Sequence, residues 1–220
     1  AAMGMFLGMQ SASTANSIMF ATYFKNAQLS GVVMMIGFLP MFLFMPFIKK
    51  LVNKFGKKEA ATAGTIVSLV GGAIMLVFPT VSISLALPVY MAGLLLFGLG
   101  MGVYTCVSWA LMADAIDYSE WKFGKREEGT VYSLHSFFRK LAQGVGPSLA
   151  LFIMAALGYS EINAGNQLFS VALNMRYLVA GLYLVSAVMQ LIGLGLIYNL
   201  DKKSVEKMNA ELAARHAKEQ

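Results

Sequence analysis

The chain has 220 residues, 58% of them hydrophobic and only 13% charged, with 16 Met and a formal net charge of +6. Ordinary soluble domains carry about 25% charged residues, so this composition excludes a soluble globular protein and points to the bilayer as solvent. The excess Lys and Arg lies in short stretches beside apolar segments, which reads as orientation in a membrane and excludes a nucleic-acid surface.

Six apolar segments each approach the ~20 residues that cross a bilayer as a helix, and none alternates apolar and polar as a membrane barrel would. No initiator Met and no charged leader precede the first segment, so the chain reads as a fragment of a longer polypeptide. Residues 3–23 form the most polar segment. Gln10, Ser13, Thr14 and Ser17 recur there at helical spacing, either lining a wet cavity or bonding to neighbouring helices. Residues 31–48 contain Pro40 and Pro46, which predict kinks, and lead into a basic loop with five lysines from Lys49 to Lys58.

Residues 60–78 are rich in Gly and Ala (Gly64, Gly71, Gly72), a surface for close helix packing. A short uncharged loop, 79–85, precedes the fourth segment, 86–113. Its Gly98-Leu-Gly-Met-Gly102 run has no strand before it and so is no dinucleotide fingerprint. Cys106 is the only cysteine, which excludes an intrachain disulfide. A charged loop follows from Asp114 to Gly129, then the fifth segment, 130–157, interrupted by Gly144, Gly146 and Pro147. A polar connector, 158–174, leads to the sixth segment, 177–199. From Asp201 the chain becomes a mixed-charge tail with Val205, Met208 and Leu212 on one helical face. Residues 1–200 are therefore expected as one transmembrane domain and 201–220 as a helical tail.

Lys and Arg mark one side of the bilayer. The loop from Lys49 carries five, the loop from Asp114 three and the tail five, whereas the alternate connectors hold only Lys25 and Arg176. The positive-inside rule places both ends of the six-span chain in the cytoplasm.

The fifth segment carries two adjacent cations, Arg139 and Lys140. With entry near Thr130, Lys140 lies roughly 15 Å deep at the ~1.5 Å rise of a helix, near the midplane of a ~30 Å core. A charge there costs about 2.5–3.5 kcal/mol or more, so it must face water or protein and pair with an anion. The six segments contain no Asp or Glu. The counter-charge must come from another subunit, a further half of the protein, or a ligand. His135, Arg139 and Gln143 share one face by i, i+4 spacing, and Ser136 and Lys140 the adjacent face.

The stretch DAIDYSEWKFGKREEGTVYSLHSFFRKLAQGVG, from Asp114 to Gly146, resembles the loop and following helix of the glycoside–pentoside–hexuronide cation symporters, a family of the major facilitator superfamily. LVNKFGKK from Leu51 is similar to the basic loop that superfamily members carry, with Asn53 in place of the usual Asp. The resemblance covers the whole chain and implies the C-terminal six-helix half of a twelve-span carrier. Sugar would bind between two halves, with Na⁺ or H⁺ cotransported and held mainly by carboxylates of the N-terminal half. It implies no other cofactor and no metal site in this half. Lys140 matches the family's membrane-embedded lysine, and Ser136 and His135 match positions lining the sugar cavity. Arg139 sits where some relatives are apolar and suits an acidic sugar. Thr105 falls where the melibiose permease carries an aromatic ring, which Trp109, one turn on, would replace. Asp114, Asp117, Glu120 and Arg126 would close the cytoplasmic side.

The expectation is an all-α integral membrane protein of the inner (plasma) membrane. Its partners are the bilayer, the N-terminal half and a sugar, glycoside or hexuronide moved by cation-coupled alternating access. The alternative is a non-transporting six-helix scaffold or subunit. No HExxH, nucleophile elbow or metal-spaced cluster supports an enzyme.

Overall fold

The computed structural model describes residues 1–77, 83–163 and 166–219. They form seven α-helices: α1 (Ala2–Thr22), α2 (Ala27–Phe55), α3 (Lys57–Val77), α4 (Ile83–Phe123), α5 (Glu128–Ala156), α6 (Phe169–Ile192) and α7 (Lys202–Glu219). A 3₁₀ turn spans Glu161–Asn163, and a π-helical turn, Gly193–Ile197, prolongs α6. Each predicted segment corresponds to one helix, and the tail forms α7. Most of the uncharged loop expected over 79–85 lies outside the described residues.

Two of the expected loops are corrected. Helix α2 runs through both prolines and most of the lysine stretch to Phe55, and the chain turns only at Gly56. Lysine stems lie along apolar surface and their charges suit a helix C-terminus, so nothing in that run breaks the helix. Gly56 does, with φ of 109°. A Cβ there would also stand 2.9 Å from Lys202 Cβ, so any residue but glycine is strained at this turn. Likewise, the first ten residues of the expected loop from Asp114 are the end of α4, which stops at Phe123 before Gly124 with φ of 70°. At 41 residues, α4 is roughly 60 Å long, about twice the hydrocarbon core, and projects well beyond it.

Four helices, α2, α3, α4 and α6, are long and apolar enough to cross a membrane, and the chain is a helical membrane protein. Of the remaining three, α1 and α5 are long enough but too polar by composition, and α7 is the charged tail. Helices α1 and α5 pack on each other. Ser11 Oγ donates to Gly146 O at 2.7 Å, with both ends buried, and a Cβ on Gly146 would lie 2.9 Å from Leu7 O. Ser11 and Asn16, not the polar residues singled out above, provide the buried bonds. Asn16 Nδ2 donates to Ser30 Oγ at 3.5 Å, and Tyr90 donates its hydroxyl to Asn16 Oδ1. Thr14 and Ser17 donate to their own helix, to Gln10 O and Ser13 O.

Helix α4 packs on α2 and α3, α1 on α5 and α6, and α3 joins the two sets through α6. The glycines of α3 and α4 meet backbone to backbone: a Cβ on Gly100 would fall 2.0 Å from Gly64 O, and one on Gly71 2.6 Å from Gly93 O. At the lysine-rich end, α7 lies on the projecting end of α4. Met208 and Leu212 are buried, Trp121 Nε1 donates to Glu211 Oε2 at 2.6 Å, and Arg215 donates to Trp121 O at 3.0 Å.

Candidate functional site

Helices α4 and α5 touch only sparingly, and the first turns of α1 border the space between them. The space left is a cavity of ≈ 200 Å³ walled by Phe6 of α1, Thr105, Ser108 and Trp109 of α4, and His135 and Arg139 of α5. Thr105 and Ser108 reach it from adjoining turns, because small hydroxyl residues leave volume that larger side chains would fill. Both donate to their own helix, Thr105 Oγ1 to Met101 O and Ser108 Oγ to Thr105 O, each at 2.8 Å. Their lone pairs remain to accept from hydroxyl groups. The Trp109 ring is half exposed, 5.8 Å from the His135 ring and 6.5 Å from Tyr132 in a stacked pair. Such a platform matches the apolar face of a sugar ring.

The guanidinium of Arg139 lies 5.1 Å from the Phe6 ring centroid. No carboxylate borders this cavity among the described residues. Arg139 has a planar fork of five donors, so the cavity suits a group with two coplanar anionic oxygens. Its adjacent cation points elsewhere. Successive helical residues are about 100° apart, and Lys140 stands exposed on the neighbouring side of α5, bordering neither this cavity nor any ion pair among the described residues.

Of the residues expected at the site, Arg139, His135, Thr105 and Trp109 therefore come together. Ser136 and Gln143 are half-buried on α5 outside the cavity lining. Phe6 and Ser108 were not among the residues expected at the site. Phe6 has no signal in the sequence, being one of 15 Phe. Ser108 does have one, since its i+3 spacing from Thr105 puts it on the face that Thr105 and Trp109 share.

The expected gate residues form a second cluster at the lysine-rich end. Arg126, in the turn between α4 and α5, donates to Asp117 Oδ1 at 2.7 Å, Glu120 Oε2 at 2.9 Å and Glu128 Oε1 at 2.6 Å. These three bonds, Glu128's foremost, raise the Arg126 pKa above its ordinary range. Glu120 also meets His216 Nε2 of α7 at 2.5 Å. Asp114 stands apart from Arg126. It is buried, takes Lys57 Nζ at 2.5 Å on Oδ1, and leaves Oδ2 without a hydrogen-bond partner. Lys57 and His216 lie far from their partners in sequence, and no local pattern pairs them.

The chain matches the family described as MFS/sugar transport protein over residues 4–202. It is similar to an uncharacterised symporter of Bacillus subtilis strain 168, 35% identical over 145 residues, or 64% of this chain and 30% of the relative. It is 39% identical over 114 residues to a glucuronide carrier protein homolog of Escherichia coli K12, covering 52% of this chain and 24% of that protein. It is 29% identical over 219 residues to an isoprimeverose transporter of Lactiplantibacillus pentosus, covering 97% of this chain and 43% of that protein. The chain thus spans less than half the length of each of these relatives.

Proposed function

The chain belongs to the MFS sugar-transport family, and we propose that it is the C-terminal six-helix half of a cation-coupled symporter for an acidic sugar or its glycosides. The observation that carries the substrate class is the Arg139 guanidinium in a cavity that contains hydroxyl acceptors and an aromatic platform but no carboxylate among the described residues. A glucuronide is an anion of this kind, and one relative is named for it.

All six helices α1–α6 cross the inner membrane in this reading, with α1 and α5 turning their polar faces toward protein. The lysine-rich end is cytoplasmic. Lys140 faces the N-terminal half, whose carboxylates bind the coupling Na⁺ or H⁺ and balance its charge. The acidic residues around Arg126, and Asp114 with Lys57, form the cytoplasmic barrier. Charge pairs made in one state and broken in the other bias the rocking equilibrium between inward- and outward-open forms.

The test is gradient-driven uptake by the full-length transporter in proteoliposomes. A charge-assisted hydrogen bond contributes about 1.5–3 kcal/mol, so Arg139→Gln lowers hexuronate affinity about tenfold or more, while neutral hexoses change little. Lys140→Ala abolishes accumulation under either gradient with normal membrane insertion. Undiminished hexuronate uptake by Arg139→Gln refutes the acidic-sugar reading, and undiminished accumulation by Lys140→Ala refutes the coupling role.

A further inference from the structure

A groove of ≈ 290 Å³ runs along the lysine-rich end of α2. Phe44, Phe47, Leu51 and Phe55 of α2 line it together with Val103 of α4, and Lys50 and Lys54 border it. Its place on the molecule follows from α4. Val103 faces α3, where a Cβ on Gly64 would lie 2.8 Å from the Val103 Cβ. Thr105, about 200° further round the helix, faces the Arg139 cavity. The groove therefore opens on the outer flank of α2 and α4, away from that cavity and from the surface proposed to meet a second half.

Two kinds of surface meet there. Phe44, Phe47 and Phe55 are each about half exposed, and the Phe44 and Phe47 rings lie 6.0 Å apart. From Phe44 to Phe55 the helix rises roughly 16 Å, about half of a ~30 Å hydrocarbon core, which is the depth of one leaflet. Lys50 and Lys54 stand exposed one turn apart, with the Lys54 amine 5.2 Å from the Phe55 ring centroid. Neither lysine forms an ion pair among the described residues, and none of these places an acid on the groove. Like charges at i, i+4 repel, so the side they share favours an anion between them.

We propose that this groove binds one anionic phospholipid of the leaflet at the lysine-rich end. The phosphodiester sits at Lys50 and Lys54, and one acyl chain lies along Leu51, Phe47 and Phe44. Lysine stems run over apolar surface to bring their amines to headgroup level, and basic residues beside a membrane helix attract anionic lipid. A soluble anion would leave the aromatic strip uncovered. The proposal needs only that the chain is a helical membrane protein, and it stands or falls apart from the reading of the Arg139 cavity.

The experiment is native mass spectrometry of the full-length transporter, delipidated in detergent and titrated with dioleoyl phosphatidylglycerol and dioleoyl phosphatidylcholine. One phosphatidylglycerol is held about ten- to thirtyfold more tightly than phosphatidylcholine. Lys50→Gln with Lys54→Gln lowers that preference to less than about threefold. Lys50→Arg with Lys54→Arg retains it, which guards against a neutral variant that fails to fold. Lys203→Gln with Lys207→Gln removes the same charge from exposed positions of α7 and leaves the preference intact. Phe47→Ala weakens retention of both lipids alike.

Equal retention of the two lipids by the unmodified protein overturns the proposal. So does a preference that survives the Lys50 and Lys54 neutral pair, or that falls equally with the α7 pair, since net charge alone would then explain it. Displacement of phosphatidylglycerol by soluble glycerol phosphate overturns it in favour of a free-anion site. A photoreactive benzophenone side chain in place of Phe47 labels lipid in membranes; labelling of protein instead would show that a second half or a second copy covers the groove, and would overturn it as well.

Discussion

Two glycines on α5 give opposite responses to the same substitution. Gly146 faces α1: an added Cβ would stand 2.9 Å from Leu7 O, 3.1 Å from Gln10 Cβ and 3.3 Å from Ser11 N. Gly144 has nothing within 4 Å of its Cβ position. Alanine at either position gains about 0.5–1 kcal/mol of helix propensity. At Gly146 it also drives α1 from α5, and overpacking against a backbone costs typically about 1–3 kcal/mol. Movement of α1 would further lengthen the 2.7 Å bond from Ser11 to Gly146 O. The propensity gain is common to both variants and cancels in their difference, which isolates the packing cost at about 1–3 kcal/mol. At about 2–4 °C per kcal/mol for a chain of this size, Gly144→Ala raises Tm slightly and Gly146→Ala lowers it relative to Gly144→Ala by several degrees. The assay is thermal unfolding of the protein in detergent, followed by helical circular dichroism. Equal shifts in the two variants would show that α1 and α5 are not in backbone contact, and the cavity at their ends would lose its walls.

Other consequences are as direct. Gly56→Ala places a Cβ at positive φ and 2.9 Å from Lys202 Cβ. It lowers Tm, and an unchanged melt would disprove the tight α2–α3 turn. Lys57→Met leaves the Asp114 carboxylate buried without its cation and costs about 1–3 kcal/mol, part of which Asp114→Asn restores. A double-mutant cycle reads the coupling, and strict additivity would dismiss the pair. Hydrogen bonds from Ser204 hold the Asp201 carboxyl below its ordinary pKa at the start of α7. Their contribution is complete above the ordinary carboxylate pKa and disappears as pH falls through the lowered one. Amide protection in the first turn of α7 therefore declines at acid pH, and Asp201→Asn, which still caps, removes that dependence. Identical pH profiles in the two proteins would contradict it.

Much of the fold is legible in the residue pattern, because long apolar runs and glycine-spaced faces have few alternatives in a bilayer. The number and order of helices, the glycine contacts of α3 and α4, and the buried side of α7 at Met208 and Leu212 all follow from it. Helix ends do not. Charge is a poor boundary mark, since Asp, Glu, Lys and Arg continue a helix once it leaves the membrane, and it is Gly56 and Gly124 that stop α2 and α4. Within the site, the i, i+4 pairing of His135 and Arg139 is legible. Their meeting with Phe6, some 130 residues distant, is a matter of tertiary packing, as is the bond from His216 to Glu120.

The division between Arg139 and Lys140 carries the functional argument. Two adjacent cations on one helix cannot share a face, so a single neighbour cannot shelter both. Helix α1 shelters Arg139, through the Phe6 ring, and closes against α5 at Gly146. Lys140 is left on a side of α5 shared with exposed Phe137, which nothing in this chain covers among the described residues. An apolar ring and a charged amine side by side suit neither pure lipid nor bulk water. They suit a protein surface that is largely apolar and carries an acid at one point. This is the physical reason for proposing a second bundle there, and it makes a distinction between the two cations. In the proposed reading, Arg139 acts on the substrate from within this half, and its replacement is expected to alter which sugars bind. Lys140 is proposed to act across the boundary between halves, and its replacement is expected to alter coupling while leaving the order of sugar preference intact.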